Sequence, residues 1–298
     1  MDGKAVARAR CSLLGVSVGD AFGEMMCGHP AQVELRVAKR LIPTRRPWRW
    51  TDDTAMAISV VETLERCGTI DQDVLAAAFA RRFQLEPGRG YAAGAASVLT
   101  RIAEGGSWRE HARALFGGSG SFGNGAAMRA APIGAFFGAD LKRVRDEALR
   151  SAEPTHAHPD GAAGAAAVAV AAALASSRPV ARESMLAEVA RFTPAGPTRD
   201  GILRADRLGL DFHPRFAGEE LGTGCLISSR DTVPFSVWVA ARHLDSYEDA
   251  IWTATAMDGD RDTVGAIVGG IVAAATGEDG IPVLWRAATE PLPPPPTV

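Results

Sequence analysis

Leu141-Lys142-Arg143-Val144-Arg145-Asp146-Glu147-Ala148-Leu149 decides the fold class. Leu141, Val144 and Ala148 return at helical spacing and share one face, while most of the charges take the other. Ala-rich, Leu-bearing stretches of the same kind recur at residues 5–18, 54–67, 72–83, 91–104, 108–115, 161–176, 182–192, 233–242, 247–256 and 263–276. Breakers stand between them: Pro43, Pro47, Pro87-Gly88, Gly105-Gly106, Gly117-Gly118, Pro154, Pro179, Pro194 and Pro197. Alternating apolar and polar runs bounded by turns, the mark of strands, are absent. The expectation is an all-α fold, a compact single-domain orthogonal bundle of about a dozen helices. Residues 30–49 mix basic residues with prolines and read as a long loop. Residues 291–298, with Pro291 and Pro293 to Pro296, read as an extended or disordered polyproline tail, which leaves residues 1–290 as the domain.

Composition bounds the function. The chain has 298 residues, 47% of them hydrophobic, with a formal net charge of −3. That supports a large core. The near-neutral balance gives no electrostatic footprint for nucleic acid. Cys11, Cys27, Cys67 and Cys225 show no C-x-x-C spacing, so neither a zinc site nor a disulfide framework is indicated. Reduced thiols fit a cytoplasmic setting. No stretch reads as a membrane span, and residues 161–177, mostly alanine, read as a buried core helix. The start, Met1-Asp2-Gly3-Lys4, lacks the shape of a signal peptide.

Two acidic clusters carry the chemistry. Thr51-Asp52-Asp53-Thr54 and Asp258-Gly259-Asp260-Arg261-Asp262-Thr263 each set carboxylates beside a threonine hydroxyl, and each opens an apolar, helix-like run. Acidic residues suit the positive end of a helix. A solvated N-cap is the plain reading of either cluster alone. Capping needs one carboxylate, however, and a charged pair at the mouth of a buried helix is costly unless paired or metal-bound. Oxygen donors without nearby Cys or His suit Mg²⁺ or Mn²⁺. If the clusters meet in space, they can hold a two-metal site.

A third signal is Gly117-Gly118-Ser119-Gly120-Ser121-Phe122-Gly123-Asn124-Gly125-Ala126-Ala127-Met128-Arg129. It contains a formal G-x-G-x-x-G, but the dinucleotide fingerprint needs a preceding strand, and residues 108–115 read as a helix. Dense glycine lets backbone N–H groups approach an anion, and a helix starting near Asn124 would add its dipole. Phe116 and Phe122 flank the loop and are placed to grip a flat base; two core phenylalanines beside a surface turn are the plainer alternative. Thr155-His156-Ala157-His158 lacks partners for a zinc site, so His156 is a candidate polar contact to substrate. There is no G-x-S-x-G elbow and no cysteine beside an evident base.

In order, Gly15-Val16-Ser17-Val18-Gly19-Asp20-Ala21-Phe22-Gly23, Trp50-Thr51-Asp52-Asp53-Thr54, Gly120 to Arg129, Thr155-His156 and Asp260-Arg261-Asp262-Thr263 resemble the ADP-ribosylglycohydrolase family, which includes the dinitrogenase-reductase-activating glycohydrolases. The resemblance runs from about Cys11 to Ala275. It implies an all-α fold around a binuclear Mg²⁺ (or Mn²⁺) centre. It implies a metal-dependent hydrolase that cuts the glycosidic bond between ADP-ribose and an acceptor. Carried over, Thr51, Asp52 and Asp53 would ligate metal from one side, and Asp260, Asp262 and Thr263 from the other. Gly120, Ser121, Phe122, Gly123, Asn124 and Gly125 match the segment that wraps the diphosphate. Phe116 and Phe122 match aromatic positions around adenine, His156 a substrate-contacting histidine, and Asp52 also faces substrate. Asp53 and Asp260 are the foremost candidates for the proton-accepting carboxylate, with Glu24 a third candidate catalytic residue. The implied partners are ADP-ribose and an ADP-ribosylated substrate, with nucleic acid entering only as a modified substrate and no membrane.

Two departures stand out. The family's last cluster usually reads Gly-Gly-Asp-Thr-Asp-Thr, whereas Asp258 and Arg261 replace a glycine and a threonine here, and Arg261 is expected to put a cation beside the site. Relatives that cleave O-linked serine adducts carry a glutamate at the position of Cys27, while Glu24 directly follows Gly23. The resemblance therefore does not transfer acceptor specificity. Two other classes compete. A non-catalytic ADP-ribose binder would not need every ligand position. A nicotinamide-dinucleotide oxidoreductase would need strands alternating with helices.

Overall fold

The computed structural model describes residues 2–177 and 182–294. Pro179 and residues 295–298 of the expected tail lie outside the described residues. Among the described residues the chain forms sixteen α-helices, two 3₁₀ turns and no sheet, with only isolated bridges pairing Trp48 with Thr289 and Gly123 with Ser228. The fold is all-α. No strand precedes the glycine-rich loop, so the dinucleotide-fingerprint reading of that loop has no structural footing here.

Helices of the expected stretches are present as α1 (Gly3–Met25), α3 (Asp52–Cys67), α4 (Gln72–Leu85), α5 (Ala93–Ala103), α6 (Trp108–Gly118), α8 (Leu141–Ala152), α9 (Pro159–Ser176), α10 (Arg182–Phe192), α13 (Ser229–Arg242), α14 (Tyr247–Thr255) and α15 (Arg261–Thr276). Five more raise the number above a dozen: α2 (Pro30–Ala38), α7 (Ala131–Phe137), α11 (Pro197–Leu208), α12 (Pro214–Leu221) and α16 (Val283–Ala288). The loop expected at residues 30–49 is thus helical in its first part. The reason is positional. Pro30, Pro132, Pro197 and Pro214 sit in the first turn of their helices. There proline's missing N–H costs nothing and its fixed φ favours the helix. Pro197, expected as a break, is here a start.

Small residues set the core. In α9 every residue from Ala163 to Ala173 is buried, so a helix that is long and apolar enough to cross a membrane is here surrounded by α7, α8, α10, α13 and α15. Helices α1 and α15 run antiparallel in backbone contact. A methyl placed on Gly19 would lie 2.1 Å from the Gly265 carbonyl, and one on Gly15 would lie 2.3 Å from that of Gly269. Only glycine permits this approach. The crossing carries the end of α1, with Asp20, to the start of α15, with Asp260 and Asp262.

The chain end closes the other side. Trp285 of α16 stacks on Phe22 at 4.5 Å, and Trp48 and Trp252 meet the same ring edge-on at 5.5 and 4.9 Å. Beyond it, residues 291–294 have no regular structure, but Leu292 packs on the core beside Leu13, Ile58 and Val61.

Candidate active site

The two acidic clusters meet. Asp52 and Asp53 lie in the first turn of α3, while Asp260 and Asp262 flank the start of α15. All four line one cavity of about 510 Å³, together with Thr263. The opposite wall holds Phe116, Ser121, Phe122, Gly123, Asn124, Gly125 and His156. Three expected site residues stand back from the lining: Glu24, described below, Thr51 and Gly120. Thr51 is the N-cap of α3, and Gly120 packs on the backbone of residues 157–158, where a methyl would lie 2.6 Å from the His158 nitrogen.

A fifth carboxylate organises the cluster. Asp20 is fully buried and accepts hydrogen bonds from the Thr51 N–H at 3.0 Å, the Thr51 hydroxyl at 2.9 Å, the Thr54 N–H at 3.0 Å and the Thr54 hydroxyl at 2.5 Å. It therefore holds the first turn of α3 against α1. Sequence reasoning passed over it. The available signal was a lone aspartate inside the apolar run Val16 to Phe22, where an unpaired charge is costly.

The electrostatics are those of crowded buried acids. Burial pushes Asp20 up to about 8, against the pull of the Thr54 and Thr51 hydrogen bonds and with Asp262 adding to the rise. Burial and then the Asp262 charge take Asp52 to about 7, and they take Asp260 to about 7 as well. Asp53 rises well above the ordinary range, through burial first and then Asp20, Asp262, Asp52 and Asp260. Its Oδ1 is buried with no hydrogen-bond partner. Its Oδ2 lies 2.8 Å from the Thr51 hydroxyl, which also lies 2.9 Å from Asp20. One hydroxyl proton cannot serve both carboxylates at once. Oxygen donors this crowded fit a hard divalent cation. Among the described residues no three acidic, histidine or cysteine side chains gather around one point. An ion here would accordingly draw on the Thr51 and Thr263 hydroxyls, water and ligand oxygens as well.

The facing loop is built by sharp turns. Phe116 (φ 51°), Gly117 (φ 69°), Gly118 (φ 92°) and Gly120 (φ 74°) turn the chain out of α6 through the left-handed region. This leaves Phe116 60% and Phe122 38% exposed with ring centroids 5.9 Å apart, so they are not core residues. The helix expected from Asn124 is only the 3₁₀ turn Asn124–Ala126, too short to add a substantial dipole. Asn124 instead spends its amide on the site itself, donating to Asp260 at 2.7 Å and to the Thr232 hydroxyl at 3.0 Å. His156 is buried, and its Nδ1 lies 2.8 Å from the Thr155 hydroxyl. That oxygen also accepts from Arg129 at 2.9 Å, and the His156 Nε2 faces the loop at Gly123 and Gly125. Burial and then Arg129 lower His156 to about 3, keeping it neutral. Arg129, also passed over, is fully buried and donates to the Gly125 and Ser151 carbonyls. Burial lowers it to about 9, with Asp52 opposing.

Two charged residues lie outside the cavity lining. Arg261 does not put a cation into the cavity. Its Nε donates to the Thr255 carbonyl at 3.1 Å and its Nη2 lies 3.4 Å from Asp258, while its backbone packs against Gly23. Glu24 sits exposed on the last turn of α1, outside the cavity lining, with its Oε2 3.8 Å from the Cys27 sulfur.

Comparison with known proteins fixes the class. A solved structure described as an ADP-ribosylglycohydrolase-related protein complex superposes with a TM-score of 0.66 at 23% identity, covering 96% of this chain and 93% of that one. The fold is that of the all-α glycohydrolases. The ADP-ribosylglycohydrolase family model matches residues 1–294, and the chain belongs to that family of enzymes. It is similar to human ADP-ribosylhydrolase ARH3, at 28% identity over 96% of this chain and 90% of that protein. It is also similar to the ADP-ribosylarginine hydrolase Tri1 of Serratia proteamaculans, at 23% identity over 95% of this chain and 75% of that protein.

Proposed function

We propose that the chain is a Mg²⁺-dependent hydrolase, able to use Mn²⁺, that cleaves the glycosidic bond joining the distal ribose of ADP-ribose to an acceptor. The observation that carries this reading is the buried, unpartnered Oδ1 of Asp53 among four other carboxylates, on the wall facing a glycine-rich loop with two exposed phenylalanines. Thr51, Asp52 and Asp53 on one side and Asp260, Asp262 and Thr263 on the other are the residues to hold the ions. When bound, the ions would supply Lewis-acid activation of water and orientation of the ribose hydroxyls.

The chain's own residues do the rest. Asp53 or Asp260 takes the proton of the attacking water. The carboxylate wall also favours the positive charge of an oxocarbenium-like transition state. Ser121, Gly123 and Gly125 present the loop to the diphosphate, and the neutral His156 contributes its loop-facing Nε2 as a polar contact. Binding energy from this remote part fixes the reacting carbon. Four free cysteines support a reducing, cytoplasmic setting.

One relative's name specifies arginine and the other's specifies no linkage, so the acceptor is open between a protein side chain, nucleic acid and a small molecule. Defined ADP-ribosylated substrates of each kind, assayed with Mg²⁺, test the reading. Release of free ADP-ribose from at least one of them is expected. ADP-ribose binding without turnover of any would instead make the chain a binder.

A second expectation concerns the loop. Phe122→Ala should weaken ADP-ribose binding by about 1–3 kcal/mol, the scale of a base stacked on an aromatic ring. Phe116→Ala should act similarly. Calorimetric titration measures both, and unchanged affinity in a folded Phe122→Ala chain would remove the ring from the binding surface.

A further inference from the structure

Arg89, in the loop between α4 and α5, is buried and uses every donor it has. Its Nη1 donates to Glu290 at 2.7 Å and to the Trp50 carbonyl at 3.0 Å, its Nη2 to Glu290 at 2.8 Å and to Glu86 at 2.5 Å, and its Nε to Glu86 at 3.1 Å. The guanidinium lies 3.5 Å from the centre of the Trp50 ring. The backbone of the same residue faces the cavity side: its carbonyl accepts the Asp52 N–H at 2.8 Å. The next residue, Gly90 (φ 97°), lines the cavity beside the Asp52 carboxylate. Glu290 is itself fixed to the strand-like segment that leads into the site. Its N–H donates to the Trp48 carbonyl at 2.8 Å, while the Trp48 N–H donates to the Ala288 carbonyl at 2.8 Å. A segment some two hundred residues away in sequence is thereby bound to the first turn of α3.

A bidentate guanidinium–carboxylate pair is directional as well as strong. Removing the Glu290 charge leaves Arg89 with Glu86 as its remaining carboxylate partner and releases the chain end from the guanidinium. We propose that the Arg89–Glu290 pair is a positioning clasp, in which the chain end holds Arg89 so that its carbonyl sets Asp52 in the cavity and thereby tunes how tightly that wall binds a divalent cation. The clasp touches neither substrate nor the reacting atoms; it acts through Asp52. The part of this inference that concerns the cation rests on the Mg²⁺ reading given above.

Glu290→Gln keeps the shape and removes the charge. Arg89→Lys keeps the charge and removes the fork. Each variant is compared with the unaltered chain by hydrogen exchange and by calorimetric titration with Mg²⁺. Exchange over residues 50–54 should rise at least about tenfold while exchange in α9 stays unchanged, and the Mg²⁺ dissociation constant should rise about tenfold, the scale of losing an outer partner of a metal ligand. At saturating Mg²⁺ the turnover number should return to within about twofold of the unaltered chain, a recovery that general loss of structure would not allow. Glu290→Asp should restore part of both effects. Unchanged exchange over residues 50–54 in a folded variant overturns the clasp whatever the metal does. Raised exchange with an unchanged Mg²⁺ constant overturns its link to the cation. If the unaltered chain binds no Mg²⁺, the metal reading fails, and the exchange measurement alone decides the clasp.

Discussion

Asp52→Ala and Asp260→Ala are each expected to abolish turnover, and a chelator is expected to do the same to the unaltered chain. The two residues are far apart in sequence, one at the start of α3 and one at the start of α15, yet they line one cavity, and the Asp262 charge raises both. A loss of at least about a hundredfold is expected from either, since even partners of metal ligands are worth about 10–100-fold. The fold should survive. Burial holds Asp20 near 8 and Asp52 and Asp260 near 7 in the folded chain, whereas the unfolded chain releases these protons near about 4. The folded state then binds more protons than the unfolded one between those values, so stability falls as pH rises from about 4 to about 8. Added Mg²⁺ should offset that fall, and deleting one carboxylate should lessen it. Rates of ADP-ribose release, with melting temperatures across this pH window, make the check. Full activity in excess chelator would sink the metal reading, and loss in only one of the two variants would count against a shared site.

Asp53→Asn should lose nearly all activity, whereas Glu24→Gln should keep a measurable fraction. The reason is placement. Asp53 is 2% exposed, with one carboxylate oxygen unpartnered and the other against the Thr51 hydroxyl. The change to asparagine removes a charge needed both to hold a cation and to accept a proton. Glu24 lies on the last turn of α1, exposed, with the Cys27 sulfur as its neighbour. Rates and ADP-ribose affinities of the two variants, measured side by side, separate chemistry from binding. A Glu24→Gln chain that binds ADP-ribose normally yet is as inactive as Asp53→Asn would make Glu24 the catalytic carboxylate and would require the end of α1 to move toward the cavity.

Local pattern made much of this protein readable. The charged and apolar faces of residues 141–149 give a helix without reference to anything else in the chain, because 3.6-residue periodicity is a local property. The acidic clusters were equally visible as excess carboxylate at helix starts. Short helices that begin with proline were not, since the same residue stops one helix and starts another depending on position.

By itself, then, the sequence determined the helical class, the two acidic clusters, the glycine-rich loop and, through the order of its motifs, the family. Only the tertiary structure decided what those pieces do to one another. The packing of α3 on α1 brings Asp20 under Thr51, Asn124 reaches Asp260, Arg261 turns away to Thr255, and Glu290 closes on Arg89. Each of these except the turn of Arg261 joins residues from distant parts of the chain. Periodicity and composition report which face of an element is apolar, but not which distant element covers it. A buried carboxylate acquires its meaning from the groups packed around it, and those are set by helix packing rather than by neighbours in sequence.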